Sequence, residues 1–152
     1  YGPNEYHKGN MRSVVHQLHG KISAGEDATL FRSHNPEYSD GGQLRDFIYV
    51  KDIVDMMIWF LDNPDVQGLY NAGTGKARSF LDLANAVYLA MGKQPKIKFV
   101  DTPVEIRDKY QYFTEANMSK LQEAGFSKSA TSLEDGVRDF VVNYLEQDDC
   151  YI

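Results

Sequence analysis

The residues best suited to chemistry stand in the short run "YHKGNM" (6–11). Lys8 lies between His7 and Gly9, and Asn10 follows. A lysine drawn into a pocket can release its proton near neutral pH and act as a base, and a neighbouring glycine lets a ligand approach the backbone. A solvated surface lysine is the alternative, because lysines in polar segments are mostly exposed. The sequence therefore predicts Lys8 as a candidate acid/base residue and leaves that alternative open.

Arg45 is the candidate for binding an anion. It stands at the head of "LRDFIYV" (44–50), beside Asp46. The paired N–H donors of a guanidinium match the oxygens of a phosphate or diphosphate. An ordinary charge on an edge strand is the alternative interpretation. Arg32 and Arg78 are weaker candidates for the same role.

Three further patterns carry weaker signals. The rings of "KYQYFT" (109–114) are typical of core packing and equally of stacking on a base or sugar. His16 and His19 are three residues apart, but no Glu or third His stands at a recognised ligand spacing, so no metal is expected. "GTGK" (73–76) lacks the upstream glycine of a phosphate-binding loop and is followed by Ala77, which favours a tight turn.

Composition limits the function classes. The chain has 152 residues with 42% hydrophobic and 25% charged content, which is typical of a soluble globular domain. A net charge of −6 and a pI of about 5.1 argue against a nucleic-acid partner. The single cysteine, Cys150, excludes a disulfide within the chain, which fits a reducing compartment. No apolar run approaches the roughly 20 residues of a membrane span, so no membrane partner is expected.

Helices and strands that alternate along the chain must position these residues, and this alternation predicts an α/β fold. Strands are predicted at 28–33, 44–50 and 96–103, with a brief strand running into a glycine turn over 68–75 and a loop at 34–43. Apolar spacing and capping signals predict helices over 11–22, over 53–63 with Asp52 as cap, over 80–91 with Ser79 and Asp82 as a capping pair, over 115–122 with Thr114 as cap, and from Ser132 onward with Asp135. The helix over 53–63 is apolar over much of its surface and is expected to be buried on more than one side.

Several motifs together resemble one enzyme family. "YGP", "RDFIYVKDI" and "YNAGTG" are similar to the second half of extended short-chain dehydrogenase/reductases. "EYHKGNM", "KYQYFTEAN" and "LQEAGF…LEDGV" narrow the resemblance to ADP-L-glycero-D-manno-heptose 6-epimerases, from Tyr1 to about Tyr144. The resemblance implies a substrate-binding α/β domain with strand–helix pieces of a Rossmann-type sheet. It also implies that residues 1–152 are the C-terminal region of a longer enzyme, whose NADP-binding half and Tyr-x-x-x-Lys pair lie upstream.

The resemblance implies a reaction as well. The family epimerises C6 of ADP-D-glycero-D-manno-heptose through transient oxidation by NADP. Two acid/base groups are needed on opposite faces of the sugar, and Lys8 matches one of them; it is also expected to contact the cofactor. The resemblance further implies a homo-oligomer and, because the family serves heptose synthesis, a cytoplasmic location.

The substrate contacts of the family match the following residues: Asn10, Phe31, Arg32, Ser33, His34, Arg45 and Tyr110. The chain departs from the family pattern at two places. Gln17 stands where close relatives have a substrate-contacting His, with His16 one position away. The loop from His34 to Leu44 is longer than in some members, which predicts a displacement of Arg32 to His34. Two alternatives stay open: another nucleotide-sugar epimerase or dehydratase, and a non-catalytic nucleotide-sugar-binding fragment without turnover of its own.

Overall fold

The computed structural model describes residues 1–148, so that Cys150 lies outside the described residues. Helices and strands alternate along the chain, which confirms the α/β class. The helices are α1 (Val14–Ser23), α2 (Val50–Asp62), α3 (Phe80–Ala90), α4 (Val104–Arg107), α5 (Ser119–Glu123) and α6 (Leu133–Phe140). The strands are β1 (Ala28–Phe31), β2 (Leu44–Arg45), β3 (Arg78–Ser79) and β4 (Ile97–Val100). A 3₁₀ helix, Tyr6–Met11, precedes α1, and a π-helical turn, Val141–Leu145, continues α6.

The strands pair in two small sheets. β1 runs parallel to β4, with Ala28 opposite Ile97. β2 runs antiparallel to β3, with Arg45 opposite Arg78, and Leu44 also forms a parallel bridge with Phe113. The parallel pair with helices packed against it is consistent with part of a Rossmann-type fold, as the resemblance implies.

Two apolar clusters hold the elements together. The larger one joins α1, α3 and α6 over β1, and its members include Val15, Leu83, Val87, Val137 and Phe140. The smaller one joins α2 to α5 and the loop behind it through Met56, Met118, Leu121 and Phe126. The burial of these side chains is the main stabilising contribution to the fold.

The capping signals at α3 and α6 are confirmed. Ser79 Oγ accepts from the backbone N–H of Asp82, whose carboxylate accepts in turn from the backbone N–H of Ser79. Ser132 Oγ accepts from the backbone N–H of Asp135. These contacts satisfy N–H groups that a helix leaves unpaired in its first turn.

The predicted strand over 44–50 is wrong beyond Arg45, and Asp52 is not a cap. The chain turns into α2 at Val50, where Tyr49 takes the N-cap position and the backbone N–H of Val50 donates to Tyr1 O at 2.8 Å. Asp52 lies buried in the first turn, where its carboxylate accepts from the backbone N–H and the hydroxyl of Thr131.

Three other local predictions are wrong. Residues 68–72 form no strand within the described part of the chain. Thr114 caps no helix, because its backbone N–H donates to Leu44 O at 3.2 Å and α5 begins only at Ser119. The helix α2 is buried on one side only, with Met57 62% and Leu61 80% exposed.

Candidate functional site

Lys8 lies in the 3₁₀ helix, on the surface of the protein. Its backbone N–H donates to Glu5 O at 3.1 Å, and its side chain lines a cavity of about 170 Å³ together with Pro3 and Met11. Gly9 interrupts the helix with φ 53° and ψ −123°, a conformation in which a side chain would be strained. The structure therefore places Lys8 at a small cavity, on a turn whose shape depends on glycine.

Glu5 fixes this turn to α1. Its side chain is buried, at 4% exposure, and its carboxylate accepts from the backbone N–H of Ser13 at 2.6 Å and from the Ser13 hydroxyl. Ser13 is the N-cap of α1, and its Oγ accepts from the backbone N–H of His16 at 3.3 Å. We call residues 5–13 the Lys8 loop. The sequence reasoning missed Glu5, since no spacing rule predicts a contact across eight residues of irregular chain.

Asn10 and the residues around it are held mainly through backbone atoms. Asn10 is exposed, and its carbonyl accepts from Gln17 Nε2 at 3.4 Å, while the same nitrogen donates to Arg12 O at 2.7 Å. Arg12 Nε donates to Gly9 O at 2.7 Å. His16 packs edge-on against the ring of Tyr6, and burial, followed by the nearby Arg12 charge, lowers the pKa of His16. Gln17 thus orders the Lys8 loop from α1.

Arg45 forms the centre of a second group. Its guanidinium carbon lies 5.5 Å from the ring centroid of Tyr110 and 5.8 Å from that of Phe80. The guanidinium donates to Leu44 O at 2.8 Å and to Gln111 O. These bonds occupy two of the five N–H donors of a guanidinium, so the side chain is oriented and keeps donors for an anion.

Tyr110 links this group to the end of β1. Its ring meets the ring of Phe31 edge-on, with centroids 6.1 Å apart. Burial raises the pKa of the Tyr110 hydroxyl, while the Arg45 charge acts in the opposite direction. The phenol therefore stays protonated and can donate a hydrogen bond to a ligand.

The segment after β1 is held by its backbone. Arg32 N donates to Val100 O at 2.8 Å, and the side chain of Arg32 is exposed. Ser33 N donates to Asp40 Oδ1 at 2.8 Å, and His34 N donates to the hydroxyl of Tyr112 at 2.9 Å. The side chains of Arg32 and His34 remain available at the surface.

The predicted site residues form two groups. Tyr110 contacts both Phe31 and Arg45, and Tyr112 holds His34 beside them through its ring contact with Tyr110. Lys8 and Asn10 belong to the Lys8 loop, whose hydrogen bonds run to Ser13 and Gln17 at α1.

Another cavity contains Arg78, a weaker candidate for binding an anion. This cavity, of about 610 Å³, is lined by residues such as Phe47, Lys76 and Arg78 and by no residue of the Lys8 loop or the Arg45 group. Arg78 is engaged in ion pairs, at 2.6 Å to Glu134 and 3.3 Å to Asp82, which does not support its role as an anion ligand.

Within residues 1–148, no group of three His, Cys, Asp or Glu residues could hold a metal ion. No helix of that same part is long and apolar enough to cross a membrane.

Known proteins match the chain along its length. The model of the NAD dependent epimerase/dehydratase family matches residues 1–73. An ADP-L-glycero-D-manno-heptose-6-epimerase of Nitratidesulfovibrio vulgaris (strain DP4) is 53% identical over 152 residues, which are 100% of this chain and 47% of that protein. One of Fusobacterium nucleatum is 46% identical over 158 residues, which cover 100% of this chain and 48% of the relative.

Solved structures match the fold. A Helicobacter pylori ADP-L-glycero-D-manno-heptose-6-epimerase superposes with a TM-score of 0.74 at 26% identity, over 94% of this chain and 41% of that one. A Bacillus anthracis dTDP-glucose 4,6-dehydratase in complex with NAD gives a TM-score of 0.74 at 18% identity, over 99% of this chain and 43% of the other. The chain thus spans about half the length of the relatives that it matches. The resemblance predicted from the motifs is confirmed: over its whole length the chain is similar to part of an ADP-L-glycero-D-manno-heptose 6-epimerase.

Proposed function

We propose that this chain is the C-terminal, substrate-binding region of an enzyme that epimerises C6 of ADP-D-glycero-D-manno-heptose to the L-glycero form. The observation that carries the proposal is 53% identity to an epimerase of that name across all 152 residues. The geometry of the Arg45 group and of the Lys8 loop supports it.

Arg45 has the role of binding the diphosphate of the substrate. The carbonyls of Leu44 and Gln111 hold its guanidinium in place, and the rings of Phe80 and Tyr110 flank it. A charge oriented in this way loses little conformational freedom when it binds phosphate oxygens. Phe31 and the protonated hydroxyl of Tyr110 then contact the remainder of the substrate, together with Arg32, Ser33 and His34.

Lys8 has the role of one acid/base group. Lys8 lines the cavity with Pro3 and Met11, and Asn10 on the same loop positions the sugar. Transient oxidation at C6 requires a proton to leave one face of the sugar and return on the other, so Lys8 acts opposite a second group in the upstream half.

NADP is the proposed cofactor, and when bound it accepts the hydride of C6 and gives it back. The described residues fit a contact at one edge of such a group. Lys8 is exposed beside Gly9, where no Cβ blocks the backbone. The cavity of about 170 Å³ is too small for a dinucleotide, since ligand pockets usually measure about 300–1,000 Å³. Lys8 would therefore hold the cofactor together with an upstream nucleotide-binding half.

The exposed apolar face of α2 supports this division of the enzyme. Val54, Met57, Ile58 and Leu61 are 46% to 80% exposed and recur at intervals of three and four residues along α2. Such a stripe ordinarily packs against another element. We propose that this face of α2 packs against the part of the enzyme that corresponds to the half of the relatives' length that this chain does not span. The assembled enzyme is proposed to be a cytoplasmic homo-oligomer.

Substrate preference tests the proposal. The whole protein that carries this chain is incubated with NADP and with ADP-, UDP- or dTDP-linked sugars, and epimerisation is followed by proton NMR. Turnover of ADP-heptose alone is expected. Preference for a UDP or dTDP sugar would favour the alternative, another nucleotide-sugar epimerase or dehydratase, because the chain also resembles that wider group. Binding of ADP-heptose without turnover would favour a non-catalytic nucleotide-sugar-binding fragment.

A further inference from the structure

Glu5 combines two features that the proposed reaction does not use. It is a carboxylate at 4% exposure, and it lines the same cavity as Lys8. A buried carboxylate is costly unless hydrogen bonds satisfy it. Here both oxygens are satisfied by one residue, because Oε2 accepts from the backbone N–H of Ser13 and Oε1 from its hydroxyl.

These bonds close the Lys8 loop at its two ends. Glu5 stands at the start of the loop and Ser13 at its end, eight residues later, where α1 begins. The backbone carbonyl of Glu5 accepts from the N–H of Lys8 at 3.1 Å, so the same residue also fixes the first turn inside the loop. The carboxylate lies at the N-terminus of α1, where a negative charge is favourable.

The rest of the loop depends on this closure. Gly9 carries the unusual φ of 53°, and its carbonyl is held by Arg12 Nε at 2.7 Å. The other bonds that hold the loop, from Gln17 to the carbonyls of Asn10 and Arg12, also come from α1. Without the Glu5 bonds, the start of the loop would lose its hydrogen bonds to the N-cap of α1 and would keep the ring contact of Tyr6 with His16.

We propose that Glu5 is the positioning residue for Lys8: through Ser13 it holds the Lys8 loop in the shape that places Lys8 at its cavity. The inference rests on the proposed function for the reaction that Lys8 serves. The closure of the loop itself is independent of that reaction.

The first test measures the loop directly. Amide hydrogen exchange of residues 5–13 and the rate of acetylation of Lys8 are compared by mass spectrometry in the whole protein and in its Glu5→Gln, Glu5→Ala and Ser13→Ala variants. Glu123→Gln, at an exposed position at the end of α5, is the matched control. A hydrogen bond to a charged group contributes about 1.5–3 kcal/mol, so Glu5→Ala should speed exchange in the loop by about tenfold or more. Ser13→Ala keeps the backbone N–H and should have a smaller effect in the same direction.

The second test separates positioning from a direct role in proton transfer. With ADP-heptose, Glu5→Gln should lower kcat by about tenfold or more with little change in KM, and the pH profile should keep both of its limbs. Unchanged loop exchange in Glu5→Ala would overturn the proposal, as would faster exchange with unchanged kcat. Loss of one limb of the pH profile would also overturn it, because Glu5 would then transfer the proton itself. If the wild-type protein does not turn over ADP-heptose, the proposed function fails, whereas the exchange and acetylation rates still decide whether Glu5 holds Lys8.

Discussion

Asp46 anchors the glycine turn "GTGK" to the segment that leads from the Arg45 group to α2. Its carboxylate accepts from the backbone N–H of Thr74 at 2.9 Å, from the Thr74 hydroxyl, and from the N–H groups of Gly75 and Ala116 at 3.0 Å each. The glycine turn packs closely against the Asp46 carboxylate, since a Cβ on Gly73 would lie 2.6 Å from Asp46 Oδ2. We therefore expect Asp46→Asn to destabilise the protein although it keeps the size of the side chain.

The magnitude follows from the count of donors. A carboxamide offers one acceptor oxygen, which can serve two of the four donors, and its NH₂ group faces the others. The site is only half-buried, so each donor left unpaired should cost about 1–1.5 kcal/mol, the lower part of the usual range. Asp46→Asn is expected to lower the free energy of unfolding by about 2–3 kcal/mol at pH 7.

The pH dependence gives this prediction a second readout. Burial of Asp46 acts to raise its pKa, but the hydrogen bonds from Thr74, Ala116 and Gly75 outweigh burial and lower it. The contribution of the ionised carboxylate is therefore fully present above the unfolded pKa, about 3.9, and is lost as the pH falls through the lower folded pKa. The difference in stability between wild type and Asp46→Asn should narrow below about pH 4.

Urea unfolding measured through Trp59 provides the assay. Trp59 is the single tryptophan of the chain, and its ring packs against Phe126 in the smaller apolar cluster, beside Ala116. Asp65→Asn, at an exposed position, is the control and should change stability by less than about 0.5 kcal/mol. An Asp46→Asn variant as stable as this control, or a deficit that does not narrow at low pH, would refute the reasoning.

Three further predictions follow from single contacts. Gly136→Ala should lower the free energy of unfolding by about 1–3 kcal/mol in the same urea assay, because its Cβ would lie 2.3 Å from Tyr1 Oη; an unchanged midpoint would contradict the packing. Burial lowers the pKa of His16 in the folded protein, so the contribution of the neutral imidazole to stability should be lost as the pH falls below the pKa of the unfolded chain, about 6.5. The His16→Gln variant should therefore show a smaller fall in Tm than the wild type between pH 7.5 and 5.5. Arg45→Lys should weaken ADP binding by about tenfold in calorimetry, because an ammonium cannot reproduce the fork held between two carbonyls; equal affinity would remove Arg45 from the diphosphate site.

The sequence predicts best where a local signal and the tertiary structure agree. The capping pairs at Ser79 and Ser132 need only residues three positions away, and both are present. The segment "KIKFV" alternates in residue type and contains β4, as predicted, and β4 pairs with β1. The α/β class follows from the same alternation of elements.

The predictions fail where a long-range contact decides the local structure. "RDFIYV" is rich in β-forming residues, yet only Leu44 and Arg45 pair with β3, and Ile48 and Val50 bond to the distant backbone of Tyr1 where α2 begins. Asp52 has the residue type and the sequence position of an N-cap, but its carboxylate accepts hydrogen bonds from Thr131, which is 79 residues away in the chain.

The same distinction applies to the candidate site. Arg45 and Tyr110 were identified from residue type and from the resemblance, and the structure brings them together. Glu5 was missed, because the bonds that make it important cross an irregular loop that no periodicity describes.

Replacement of Lys8 tests the central claim most directly. The rate of C6 epimerisation of ADP-heptose is measured by NMR for the whole protein and for its Lys8→Met variant, with Lys21→Met, an exposed lysine of α1, as the matched control. General acid/base groups contribute about 10²–10⁴-fold to rate, so Lys8→Met should lose at least about 100-fold in kcat while Lys21→Met keeps wild-type turnover. Wild-type epimerisation by Lys8→Met would contradict the account.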